Sequence, residues 1–122
     1  MAIDIQTKRV YDPFESKDGF RVLVDRLWPR GLTSEQVKAD LWLKEVAPST
    51  ELRKWFHQDM LNWGEFRQRY YDELDGNPEP ITRLLDLAQN NRLTLLFSSR
   101  EADRNHALAL KEYLLARFEP NA

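Results

Sequence analysis

No cysteine occurs among the 122 residues. Disulfides, cysteine–zinc sites and a thiol nucleophile are therefore excluded. Histidine is scarce: His57 and His106 are far apart, so no histidine-based metal motif is visible. With only four glycines, the chain carries neither a GxxxxGK nor a GxGxxG phosphate loop, and no GxSxG elbow. No cofactor is implied by any of these motifs. No apolar run approaches transmembrane length, and the opening "MAIDIQTKRV" is too polar for a signal peptide. The expected compartment is the cytoplasm, with no membrane partner. Excess positive charge is also missing. The formal net charge is −2 and the pI is about 5.7, which argues against charge-driven nucleic-acid binding.

What is present describes a folded protein. Hydrophobic residues make up 42% and charged residues 31%, a balance that fits neither a disordered chain nor a membrane-embedded one. The length fits a single domain over residues 1–122.

Hydrophobic periodicity gives the elements. Residues 3–7, "IDIQT", alternate and predict a short strand. Residues 11–19 carry Pro13 and Asp18-Gly19 and predict a loop. Residues 20–25 centre on Val22-Leu23-Val24, a run suited to a strand buried on both faces. Thr33 and Gln36 form a capping-box pattern ahead of a short helix over 34–39. Residues 40–46, "DLWLKEV", alternate and predict a third strand. Pro48-Ser49-Thr50 starts a helix with Leu52, Trp55 and Phe56 on one face. Asn62 and Glu65 open another, with Trp63, Phe66, Tyr70 and Leu74 in a stripe and Gly76-Asn77 ending it. Asn77-Pro78 begins a helix with Ile81, Leu84, Leu85 and Ala88 inward. Residues 93–99 give the clearest strand, and Asp103 is positioned to cap a last helix over 104–117. The order predicts an α/β domain: a short, mostly parallel sheet of about four strands flanked by helices. Helices are expected on both faces of such a sheet.

Ligands of open α/β sheets bind beyond the carboxyl ends of the strands. Each expected strand here ends in polar groups. Lys8, Arg9, Arg26, Arg30, Lys44 and Arg100 would gather on that edge against Asp25 and Glu45. A concave cationic edge on an acidic protein favours a compact anion over a long nucleic-acid track. Arginine's planar fork suits phosphate or carboxylate oxygens. The helix starts near Ser49 and Asp103 would add backbone N–H donors. Trp28, between Arg26 and Arg30, would be an apolar wall, with Ser98 and Ser99 beside it. His106, at the start of the last helix, and Asp25 are the candidates for proton transfer. His57 reads as a helix-end residue facing carbonyls. The competing structural explanation is an ion-pair network in which Asp25 fixes loop geometry through Arg26, Arg30 or Lys8.

The segments "KRVYDP", "RVLVDRLWPRGL", "LWLKEVAPSTELRKWF", "FRQRYYDEL", "TLLFSSRE" and "NHALALKEYL" together resemble the YeaO-like branch of domain-of-unknown-function family 488. That resemblance spans nearly the whole chain. It implies a compact bacterial α/β domain, usually a standalone cytoplasmic protein, without an established activity. Broader relatives often carry a cysteine after the last strand; Ser98 and Ser99 stand here, so the resemblance implies no thiol chemistry.

The expected function is binding of a small phosphate-bearing metabolite or nucleotide, with hydrolase or transferase chemistry as an extension. The alternative is a non-enzymatic interaction module that displays Trp55, Phe56, Trp63 and Phe66. Oligomeric state is not encoded in any feature above.

Overall fold

The computed structural model describes residues 3–58, 61–101 and 103–118. Four strands form one sheet: β1 (Ile5–Arg9), β2 (Phe20–Leu23), β3 (Leu41–Trp42) and β4 (Leu93–Phe97). Their spatial order is β1-β4-β2-β3, and every pairing is parallel. Five α-helices accompany them: α1 (Ser34–Val37), α2 (Thr50–Gln58), α3 (Trp63–Asp75), α4 (Pro78–Asn90) and α5 (His106–Arg117). The expected α/β class and parallel sheet are what the fold shows.

Strand alternation sorts the two faces. Ile5, Val22, Leu93, Leu95 and Phe97 point to one side, where α2 to α5 supply Leu52, Phe56, Phe66, Tyr70, Leu84, Leu110 and Leu114. This is the main core. Leu23 and Leu96 point to the other side, where, among the described residues, Val10 and Val37 join them as buried apolar partners and the partly buried Leu32 and Ala39 pack against them. Beside this small cluster lies a polar one. Asp18, at the end of a 3₁₀ turn over Ser16–Asp18, is buried and pairs with the fully buried Arg21. Arg21 also donates to the Val37 and Lys38 carbonyls at 2.7 and 3.0 Å. Gln6 and Lys8 reach the same carboxylate at 3.2 and 3.1 Å. Helices therefore do not cover both faces equally. One face has a four-helix layer, the other a short helix and an ion-pair cluster.

The chain meets this cluster through Gly19. Its φ of +69° is a conformation that L side chains rarely adopt, and a Cβ there would lie 2.3 Å from the Arg92 carbonyl oxygen.

The third strand is shorter than its alternation predicts. It pairs with β2 at only two positions, Val22 with Leu41 and Leu23 with Trp42. Past Leu23 the partner chain turns away, and residues Lys44–Val46 wind into a 3₁₀ turn. The buried Tyr70 hydroxyl then takes the Val46 carbonyl, so packing against α3 overrides the strand pattern. The last helix also starts later than expected. Asn105, not Asp103, is its cap, accepting from the Leu108 N–H at 2.9 Å. The Thr33–Gln36 capping box forms as expected, with both bonds present.

The four aromatic residues of the interaction-module alternative pack inward. Phe56 and Phe66 stack at 4.4 Å and are buried, and Trp63 stacks on Phe66 at 5.6 Å. Trp55 and Trp63 are partly buried against the main core. Among the described residues, no helix is long and apolar enough to cross a membrane.

Candidate functional site

An all-parallel sheet sends every strand's carboxyl end to the same edge. The central pair, β4 and β2, brings two loops into contact there. Val24 N–H extends the ladder to the Leu96 carbonyl at 3.1 Å, and the next residue, Asp25, meets Ser98. A cleft of about 580 Å³ opens above this point. Its size is within the range of small-molecule sites.

Asp25 forms the hub of the floor. Its Oδ2 accepts from the Ser98 backbone N–H at 3.0 Å and from the Ser98 hydroxyl at 2.5 Å. Its Oδ1 lies 3.0 Å from His106 Nε2, which is also 3.1 Å from the Val24 carbonyl. Two acceptors facing one ring nitrogen require that Nε2 carry the hydrogen. That hydrogen is aligned on Val24, so buried Oδ1 is close to the ring without an aligned donor among the described residues. Burial pushes the Asp25 carboxyl up. The adjacent His106 and the two Ser98 donors outweigh it and hold the group below the ordinary carboxylate range. Asp25 thereby fastens the ends of β2 and β4 to the start of α5.

Arginines surround this hub. Six line the cleft: Arg9, Arg26, Arg30, Arg53, Arg100 and Arg104, with Asp25 as the one carboxylate among the described lining residues. Two are tied down. Arg26 donates to the Pro48 carbonyl at 3.2 Å and the Ala47 carbonyl at 3.3 Å, holding the β2 exit against the entry to α2. Arg9 donates to the Ser99 carbonyl at 3.2 Å, and its guanidinium sits over the Tyr11 ring at 4.6 Å. Arg104 is 3.9 Å from Glu101, a loose exposed pair. Arg30, Arg53 and Arg100 have no side-chain hydrogen bond or ion pair among the described residues.

The opposite wall is apolar and flat. Trp28 lines the cleft with Leu27 and Pro29. Its indole N–H donates to the Leu32 carbonyl at 2.7 Å, and its ring meets Trp42 edge-on at 5.3 Å. The Trp42 indole N–H in turn donates to the Asp25 carbonyl at 2.8 Å. Tyr11 bonds the Arg30 carbonyl at 3.0 Å and closes the rim.

Of the residues expected at this edge, Arg9, Asp25, Arg26, Trp28, Arg30, Ser98, Ser99, Arg100 and His106 all line the cleft. Lys8 and Lys44 do not. Lys8 alternates onto the opposite face, where it pairs with Glu15 at 3.0 Å and Asp18 at 3.1 Å. Lys44 lies in the 3₁₀ turn with its ammonium over Trp42 at 5.1 Å. The expected donors at the start of α2 are also taken. Glu73 accepts from the Ser49 N–H at 2.8 Å and its hydroxyl at 2.6 Å, so a carboxylate already occupies that end. Ser99 holds its own loop, accepting from the Glu101 N–H at 3.1 Å.

Three lining residues with basic side chains escaped the sequence reading: Arg53, His57 and Arg104. The signal for two of them was present. Arg53, Phe56 and His57 are spaced i, i+3, i+4, which places them on one helical face, and all three line the cleft.

Chemically, the site offers charge and orientation more than a nucleophile. In a serine relay the imidazole stands between hydroxyl and carboxylate and takes the hydroxyl proton. Here the carboxylate stands in the middle: Ser98 donates to Asp25, and His106 is on its far side. Among the described residues no cluster of three metal-type ligands occurs.

Fold and site together define a small α/β domain with an arginine-lined cleft at the carboxyl edge of a parallel sheet. Residues 4–122 match the family described as "Inactive DUF488-N3 subclade", and the chain belongs to the DUF488 family. It is similar to the uncharacterized protein YeaO of Escherichia coli K12, 48% identical over 112 residues, covering 92% of this chain and 97% of that one. The uncharacterized proteins Mb3100c of Mycobacterium bovis and Rv3073c of Mycobacterium tuberculosis are each 36% identical over 113 residues, covering 93% of this chain and 95% of theirs. No solved structure matches the chain significantly.

Proposed function

We propose that the protein is a cytoplasmic binder of a small phosphate-bearing molecule, held in the arginine cleft and not turned over by a serine nucleophile. The observation that carries this is the set of three guanidinium groups, Arg30, Arg53 and Arg100, that share a cleft lining and have no side-chain hydrogen bond or ion pair among the described residues. Charges of one sign crowded together repel, and an anion bound between them relieves that cost. Arg9 and Arg26, fixed by backbone carbonyls, add oriented positive potential without needing to move.

Binding without turnover is supported by the wiring around Asp25. A carboxylate held below its ordinary range is a weak base for a serine hydroxyl. The description of the matched subclade as inactive agrees with this. Hydrolase or transferase chemistry through Asp25 and His106 is the rival outcome.

Thermal shift against phosphorylated metabolites tests the reading. The wild type is expected to gain stability with at least one of them, by about 2.7 kcal/mol at a hundredfold excess over Kd. Arg30→Ala and Arg53→Ala are expected to keep the fold and lose the response. Equal stabilisation of all three proteins would remove the site. Appearance of a product from the bound compound, lost in Asp25→Asn, would replace binding with catalysis.

A further inference from the structure

The cleft has two unlike halves, and only one of them is explained by a phosphate. We propose that its ligand is a nucleoside diphosphate or triphosphate, with the phosphates on the arginines and the base against Trp28 and Leu27. This ligand class rests on the anion-binding reading above.

Three observations point the same way. Charge comes first. Among the described lining residues, six arginines face one carboxylate. A single phosphate carries at most two negative charges, whereas two or three linked phosphates carry more and reach several guanidinium groups at once. The second is an exposed apolar wall at the cationic site. Leu27 is 63% exposed, Tyr11 41% and Trp28 36%, and all three line the cleft. Water-facing side chains of this size beside a charged cleft mark a contact surface. The third is rigidity. The Trp28 ring is fixed by its bond to Leu32 and its contact with Trp42, so little side-chain freedom is lost when a flat ring stacks on it. An acyl chain would need an enclosed apolar slot, and a wall with Leu27 this exposed is open. Inorganic phosphate would leave it bare.

Calorimetry with inorganic pyrophosphate and with adenosine and guanosine diphosphates tests the proposal on the intact chain. A nucleoside diphosphate is expected to bind about tenfold or more tightly than pyrophosphate, the gain that stacking on one aromatic ring supplies. Trp28→Ala is expected to bring the nucleotide down to the pyrophosphate affinity while leaving pyrophosphate itself unchanged. Leu27→Ser, at an exposed position that leaves the fold intact, is expected to weaken the nucleotide alone by a smaller factor. Equal wild-type affinities for nucleotide and pyrophosphate would overturn the proposal and leave the anion site standing. So would parallel losses of both ligands in Trp28→Ala and Leu27→Ser. No binding of any phosphate would instead take down the anion-binding reading, and this ligand class with it.

Discussion

Replacing Asp25 by alanine removes the joint between three elements. Asp25 as a residue is 7% exposed. It accepts two bonds from Ser98 and stands 3.0 Å from His106 Nε2. Truncation leaves the Ser98 N–H and hydroxyl without their acceptor at a half-buried position on the cleft floor. Hydrogen bonds to a charged group contribute about 1.5–3 kcal/mol each, and relief of carboxylate desolvation offsets part of that. The expected loss is about 3 kcal/mol, a large share of the roughly 5–15 kcal/mol that holds a domain of this size. In urea, with a slope of about 2 kcal/mol per molar, the midpoint falls by about 1.5 M. Asp25→Asn keeps an acceptor for Ser98 and is expected to lose about half as much. Urea unfolding followed by tryptophan fluorescence reads both shifts. A midpoint for Asp25→Ala within about 0.3 M of wild type would refute the idea that this carboxylate ties the strand ends together.

Stability should fall in acid through the same group. Because folding lowers the Asp25 pKa, its contribution is whole above its ordinary value of 3.8 and is lost as pH falls through the lower folded value. Thermal melts of Asp25→Asn between pH 5 and pH 2 are expected to show a shallower acid decline than wild type. Asp18 is likewise held below its ordinary range: burial raises it, and the Glu15 backbone N–H, Lys8 and Arg21 more than offset that. Asp18→Ala leaves the Arg21 guanidinium buried with two carbonyl acceptors and no counter-charge, at a cost of about 3–5 kcal/mol by denaturant unfolding. Gly19→Ala forces a Cβ to 2.3 Å from the Arg92 carbonyl at a positive φ and is expected to cost more than about 2 kcal/mol; a neutral melt would contradict that geometry.

Much of the fold was legible because the central strands announce themselves. Val22-Leu23-Val24 is a continuous apolar run, and Leu93–Phe97 is one apart from the buried Thr94, as strands covered on both sides must nearly be. β3 was over-read because alternation at a sheet margin records only which side is wet. The segment alternates, yet β3 has two paired positions, not seven. Lys8 was misplaced for a related reason. The end of a strand was taken as one place, although Lys8 and Arg9 leave on opposite faces. Asp25, Arg26, Arg30 and Ser98 were legible because a parallel sheet has one carboxyl edge. Arg53 was only partly legible: its spacing with Phe56 and His57 gives a shared helical face, but only packing decides that this face meets the edge. Arg104 comes from the loop before α5, which no periodicity places. That Arg26 would be tied to the Ala47 and Pro48 carbonyls was likewise invisible before the loops were placed.

The most direct test of the arginine cleft is the ³¹P resonance of pyrophosphate titrated with the protein at physiological salt. Saturable broadening or a shift with wild type, lost when Arg30 and Arg53 are both replaced by alanine in a chain that still folds, is the expected result. A resonance unchanged by the wild-type protein, or changed equally by the double variant, would contradict the claim that these arginines form an anion site.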